Sequence, residues 1–152
     1  MQKKTYLSID FGTKFTGIAI YRHLEDPSPL GLTRLSTQTQ DFLPSLWKII
    51  RNEEIQFLIV GIPYYADGKS NHMTKRVLQF KTDLLSFLES HKVNIEIFEQ
   101  DETLSTFEAE QRMKSSPLYQ FKVDINKIDI LSAQIILEDF LKLHPQSPYK
   151  II

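Results

Sequence analysis

The sequence predicts an α/β domain: a mixed five-stranded sheet, with a three-strand antiparallel meander joined to two parallel strands and helices on both faces. Three observations carry this. Three strand-like segments fall within the first 36 residues with only short connections between them, which is the spacing of a meander. FLIVGIP, residues 57–63, is an unbroken apolar run, as suits a strand buried on both faces. Segments of helical periodicity flank that run, so the later strands are joined by crossovers that place helices on the sheet.

Taken in order, TYLSID (5–10) reads as the first strand, GIAIYR (17–22) as the second and residues 30–36 as the third. Asp41 stands as an N-cap before a helix marked by Leu43, Leu46, Trp47 and Ile50, ending near Asn52. FLIVGIP is the fourth strand, and the polar loop YYADGKSN follows it with Asp67-Gly68 as turn chemistry. Met73, Val77, Phe80, Leu84 and Phe87 form one stripe of a long helix. His72 and His91 fall on or beside it and read as solvent-facing. NIEIFEQ (94–100) is the fifth strand. Ser105 and Glu108 make a capping-box pattern for a short helix that Pro117 helps to end. A last helix runs from about Ile125 to Leu143. Residues 1–145 read as a single domain and 146–152 as a frayed C-terminal tail.

The totals narrow the classes of function. The chain has 152 residues, 41% of them hydrophobic and 24% charged, which is the composition of one soluble globular domain. It has no cysteine, so disulfides, thiolate zinc sites and cysteine nucleophiles are excluded. The N-terminus lacks the apolar length of a signal peptide and no run reaches the length of a membrane span, so a cytoplasmic protein without membrane attachment is expected. A net charge of −1 is not that of a strongly basic nucleic-acid binder. Local basic clusters are present at Lys69, Lys75, Arg76 and Lys81, and again at Arg112, Lys114, Lys122 and Lys127. Their bland reading is two solvated helix faces.

Three acids sit where an acid needs a reason. Asp10 ends the first strand just before Gly12, at the kind of strand end where α/β proteins place ligands; it could equally close an Asx-turn. Glu102 lies just past the fifth strand, with Asp101 as a rival for the same role and helix-terminus charge compensation as the alternative. Asp129 shares a helical stripe with Ala133, Ile136 and Phe140, an apolar side where an unpaired carboxylate is costly; a place near the helix N-terminus would soften that cost. Carboxylates that converge repel one another and raise one another's pKa values. A hard divalent cation resolves the repulsion, and an all-oxygen ligand set selects Mg²⁺ or Mn²⁺ over zinc. Asp10, Glu102 and Asp129 are therefore the candidate metal ligands and catalytic acids.

Four stretches resemble one known family. IDFGTKFTGIAI resembles an Asp-x-Gly-x-Lys-Arg-x-Gly-x-Ala opening, and LIVGIPYYADG a Val-Gly-x-Pro…Asp-Gly segment. DETLST resembles Asp-Glu-Arg-(Leu/Phe)-(Ser/Thr)-Thr, and KIDILSAQIILEDFL a closing helix in which an Asp precedes small residues and a Leu-rich run. Together, over residues 4–141, they resemble the YqgF, or RuvX, family of Holliday-junction-resolvase-like nucleases. The resemblance implies an RNase H-like fold. It implies a metal-dependent nuclease with Asp10, Glu102 and Asp129 as its acids. It also implies a role in maturing the 5′ end of 16S ribosomal RNA, with branched DNA as the other substrate class. Phe15 and Thr103 stand where the motifs usually carry Arg, the bidentate partner of phosphate. Lys14, Lys69, Arg112 and Lys127 are the remaining candidates for phosphate contacts. The chain reads as a monomer or a homodimer.

Two other readings stand beside this one. Asp-x-Gly-Thr-x-x-x-Gly also resembles the first phosphate loop of sugar kinases, actin and heat-shock ATPases, although no second such loop follows. The chain could also be a binding module for RNA or protein in which the acids are vestigial.

Overall fold

A computed structural model describes residues 4–64, 71–102 and 104–144. The expected tail and the 67–68 turn lie outside the described residues. The elements follow the expected order: β1 (Thr5–Asp10), β2 (Phe15–Arg22), β3 (Leu30–Ser36), α1 (Phe42–Asn52), β4 (Phe57–Ile62), α2 (His72–Ser90), β5 (Glu96–Asp101), α3 (Ser105–Lys114) and α4 (Ile128–Leu143). A 3-10 turn at Pro117–Tyr119 separates the last two helices. The sheet order is β3-β2-β1-β4-β5. β1 pairs antiparallel with β2, and β2 with β3; β1 and β4 are parallel, as are β4 and β5. This is the expected meander joined to two parallel strands.

Strand alternation sends each residue to one of two cores. Leu7, Ile9, Leu58, Val60 and Ile62 pack against Phe42, Leu46 and Ile50 of α1 and Val77, Phe80 and Leu84 of α2. Tyr6, Ala19, Phe57 and Ile59 face the other way, onto Ala133, Ile136, Leu137 and Phe140 of α4. α3 lies outside α4 through Ala109 and Met113 against Leu131 and Ile135. Both faces of β4 are covered, and all six of its residues are buried, which is why its sequence is continuously apolar.

Three boundary readings change. Asp41 does precede α1, but its side chain makes no cap bond; its carbonyl instead accepts from the Ser45 N–H at 2.8 Å. Ser105 is not an N-cap. Leu104 holds that position, and the Ser105 hydroxyl is drawn to Glu102 instead. The capping box lies on α2: the Asn71 side chain accepts from the Thr74 N–H at 2.8 Å, and the Asn71 N–H donates to Thr74 Oγ1 at 3.1 Å. Thr74 Oγ1 also donates to the Pro63 carbonyl at 2.5 Å, fastening α2 to the end of β4. α4 begins at Ile128 rather than Ile125, which places Asp129 in its first turn.

Candidate active site

Asp10 is the last residue of β1 and, like Tyr6 and Ser8, faces α4. Ser8 shows the phase directly, since its hydroxyl donates to the Ala133 carbonyl of α4 at 2.6 Å. The same parity separates Asp101 from Glu102. Along β5, Phe98 packs on the α4 side and Ile97 on the α1/α2 side. Asp101 therefore falls in phase with Ile97, and Glu102 in phase with Phe98. The Glu102 N–H donates to the Ile62 carbonyl at 3.1 Å, which carries the chain one residue beyond the sheet along β4. Ser105 Oγ donates to Glu102 Oε2 at 2.9 Å and to the Glu102 carbonyl at 3.1 Å, fixing the carboxylate. Gly61 leaves room for it: a Cβ there would sit 3.2 Å from both Cβ and Cγ of Glu102.

The Asp10 and Glu102 carboxyl groups lie within hydrogen-bond reach of each other. Loss of solvent pushes the Asp10 carboxyl well above the usual range, and the charges of Glu102 and Asp129 push it further. Glu102 is also raised, first by burial, while its hydrogen bonds from Ser105 and Asp10 work in the opposite direction. At neutral pH, two desolvated carboxyls in contact favour a shared proton or a cation between them.

Asp129 reaches the site by a different route. Asp10 pairs with Gly17 across the β1–β2 ladder. A Cβ at Gly17 would lie 1.9 Å from the Asp129 carbonyl oxygen. The first turn of α4 therefore rests directly on the β2 backbone, beside the end of β1. Asp129 is raised by burial and partly relieved by the charge of Arg34. The third acid does not close a ligand set. Among the described residues, no three His, Cys, Asp or Glu side chains are gathered closely enough to hold a metal ion. The arrangement is a contacting pair with a third carboxylate standing off. One turn along α4 from Asp129, the Ser132 hydroxyl is buried with no hydrogen-bond partner among the described residues. An all-oxygen donor pair with unmet negative charge suits a hard cation such as Mg²⁺ or Mn²⁺.

The basic candidates separate. Lys14 is exposed in the β1–β2 turn, its Nζ 5.9 Å from the centre of the Phe15 ring. Lys127 is exposed at the N-cap position of α4, beside Asp129 in the chain. Lys69 and Thr103 lie outside the described residues. Arg112 is corrected. Its guanidinium bonds both Glu138 oxygens, at 2.7 and 3.1 Å, and Glu108 at 2.7 Å, so it ties α3 to α4 rather than standing open to a phosphate. Sequence reasoning missed Arg34. It pairs with Gly17 across the β2–β3 ladder, its guanidinium lies 3.8 Å from the centre of the Phe15 ring, and its charge acts on Asp129.

A sequence model of RuvX, described as "Holliday junction resolvase", matches residues 4–143. A protein of Shewanella oneidensis named "Putative pre-16S rRNA nuclease" is 31% identical over 148 residues, covering 95% of this chain and 98% of that protein. One of Maridesulfovibrio salexigens with the same name is 34% identical over 140 residues, covering 89% and 96%. In structure, the yeast mitochondrial Holliday junction resolvase Ydc2 matches with a TM-score of 0.59 at 12% identity, over 93% of this chain and 79% of that one. RuvC of Thermus thermophilus matches with a TM-score of 0.55 at 10% identity, over 93% and 96%. At such identities these likenesses speak for the fold, which is the RNase H-like sheet shared with RuvC-type resolvases. With a family model spanning nearly all of the described residues and relatives above 30% identity along almost their whole length, the chain belongs to the RuvX family.

Proposed function

We propose that the protein is a metal-dependent endonuclease that hydrolyses phosphodiester bonds at the 5′ end of pre-16S ribosomal RNA. The observation that carries this reading is the contact between the desolvated carboxyls of Asp10 and Glu102 at the ends of neighbouring strands. Asp10 and Glu102 would hold Mg²⁺ or Mn²⁺, with Asp129 the acid nearest to joining them. Such an ion supplies Lewis-acid polarisation of the phosphodiester and neutralises charge on the leaving oxygen.

The protein's own contribution is positional. Ser105 holds the Glu102 carboxylate through Oε2, fixing the side chain beside Asp10. Gly61 and Gly17 let a side chain and a helix backbone come close where any larger residue would keep them apart. Both carboxyls are pushed toward their protonated forms, so binding a cation favours release of a proton. Exposed Lys14 and Lys127 flank the acids and would meet the phosphate backbone, which makes affinity fall with salt. The relatives' names favour RNA as the substrate.

The test is cleavage of a labelled pre-16S 5′-leader RNA, beside a four-way DNA junction, in Mn²⁺, Mg²⁺ or EDTA. Wild type and Asp10→Asn run in parallel at low salt. RNA cutting that needs metal and disappears in the variant supports the reading. Preferential cutting of the junction moves the substrate to branched DNA. RNA binding without any cutting assigns a binding module instead.

A further inference from the structure

Arg34 has the geometry of a substrate-gripping residue, and nothing in the architecture of β3 requires an arginine there. It stands in a row across the sheet with Gly17 and Asp10, because Asp10 pairs with Gly17 and Gly17 with Arg34. Residues opposed in this way project from the same face, so Arg34 shares the α4 side with the three acids. Its guanidinium is stacked on Phe15, with Cζ 3.8 Å from the ring centre, as suits a cation over an aromatic face. One N–H, on Nη2, reaches Asn126 Oδ1 at 3.3 Å, in the segment leading into α4. A guanidinium has five donors, and the remaining four meet no acceptor among the described residues. Asp129 is close enough to feel its charge, yet no carboxylate closes an ion pair with it among the described residues. Arg112 is the contrast: three carboxylate contacts consume its donors.

We propose that Arg34, held by Phe15 and Asn126 beside the acids, is the residue that grips a backbone phosphate of the substrate strand next to the scissile bond. This rests on the nuclease reading above. The planar fork of an arginine binds phosphate bidentately, which the point charges of Lys14 and Lys127 cannot do. Stacking on Phe15 removes side-chain freedom before substrate arrives, so less is lost on binding. Phe15 thus contributes a platform, and the arginine it carries comes from the neighbouring strand.

The test is binding of a fluorescently labelled pre-16S 5′-leader RNA, followed by anisotropy in EDTA from 50 to 200 mM KCl. Wild type is compared with Arg34→Ala, Arg34→Lys, Phe15→Leu and Lys48→Ala, the last an exposed charge on α1. Arg34→Ala is expected to bind roughly tenfold more weakly, with a salt slope smaller by about one. Arg34→Lys should keep the wild-type slope and recover only part of the affinity. Phe15→Leu should weaken binding about threefold with the slope unchanged. Lys48→Ala should match wild type. If Arg34→Ala keeps wild-type affinity and slope, the inference is overturned, whether or not its melting temperature falls; a fall alone would make Arg34 a brace for Asn126. If wild type cleaves RNA and Arg34→Ala is unaffected, the inference fails and the nuclease reading stands. If wild type neither binds nor cleaves RNA or the DNA junction, the nuclease reading itself fails and takes this inference with it.

Discussion

On the α1/α2 side of the sheet, Leu7, Ile9, Leu58, Val60 and Ile62 meet Phe42, Leu46, Val77, Phe80 and Leu84 through apolar side chains alone. On the α4 side, a helix carbonyl rests on Gly17, another accepts from Ser8, and Asp10 and Glu102 meet at the strand ends. The first side can lose a methyl group and partly relax around the gap. The second adds to its own apolar core a backbone contact at Gly17, where there is no side chain to adjust. Both sides bury an apolar core, but only the α4 side combines it with close backbone contact and converging carboxyls.

The sharpest way to break this contrast is Gly17→Ala. The added methyl group would meet the Asp129 carbonyl, so α4 must lift off β2. The expected cost is about 4 kcal/mol of unfolding free energy in urea, with loss of cleavage by the surviving folded fraction. Leu58→Ala, fully buried on the other side, should cost about 3 kcal/mol and leave cleavage per folded molecule unchanged. If Leu58→Ala proves the more damaging to activity, the division between the two sides is wrong.

The next effect concerns how α3 is held to α4. Burial pushes the Glu138 carboxyl up, but the hydrogen bonds from Arg112 and Gln134 and the nearby positive charges outweigh it, leaving Glu138 below its usual value. A carboxyl depressed on folding contributes stability that is present above its unfolded pKa, about 4.3 for Glu, and is lost as pH falls through the folded value. Glu138→Gln should therefore cost about 1 kcal/mol at pH 7. The difference from wild type should shrink in denaturant melts as pH falls below about 4.3 and vanish once pH is below the folded value.

A further effect of similar size has the opposite sign. The Asp10 carboxyl is raised by burial first and then by Glu102 and Asp129, so its ionised form opposes folding. That penalty is present at neutral pH and is relieved as pH falls through the raised value. Asp10→Asn should stabilise the metal-free protein by about 1 kcal/mol at pH 7 while abolishing cleavage. The gap should narrow as pH falls. It should also narrow when millimolar Mn²⁺ is added, because the ion binds only wild type well. A destabilised Asp10→Asn would mean that the carboxylate is a structural cap rather than a strained ligand.

The order of strands and helices was legible because each buried face imposes its own period on the sequence, as in FLIVGIP and the Met73–Phe87 stripe. Asp10 and Glu102 stood out as candidates because one ends a strand-like segment and the other lies just past one. The choice of Glu102 over Asp101 needed the phase of β5, which Phe98 and Ile97 reveal only once packed. The capping box was misplaced because Ser105 has a better partner in Glu102 than in its own helix, while Asn71 and Thr74 offer no distinctive pattern. Arg112 looked like a phosphate ligand because Glu108 and Glu138, which consume it, lie on two different helices. Arg34 was invisible for a subtler reason. Leu30, Leu32 and Arg34 share one parity in the sequence, so simple alternation places the arginine with the two leucines.

That parity is undone by the irregularity in β3, where Ile18 pairs with Thr33 but Ala19 pairs with Gly31. Leu32 is the surplus residue of a β-bulge, and it resets the alternation of every residue that follows. Gly31 lies beneath Ile130 of α4, and Arg34 reaches the same side although its position is an odd step further along the chain. Deleting Leu32 would restore plain alternation with Gly31 and Arg34 both still facing α4, whereas flattening the strand with Leu32 in place would turn one of them away. In this edge strand the face on which the arginine emerges is set by one surplus residue upstream of it, not by the arginine's position alone.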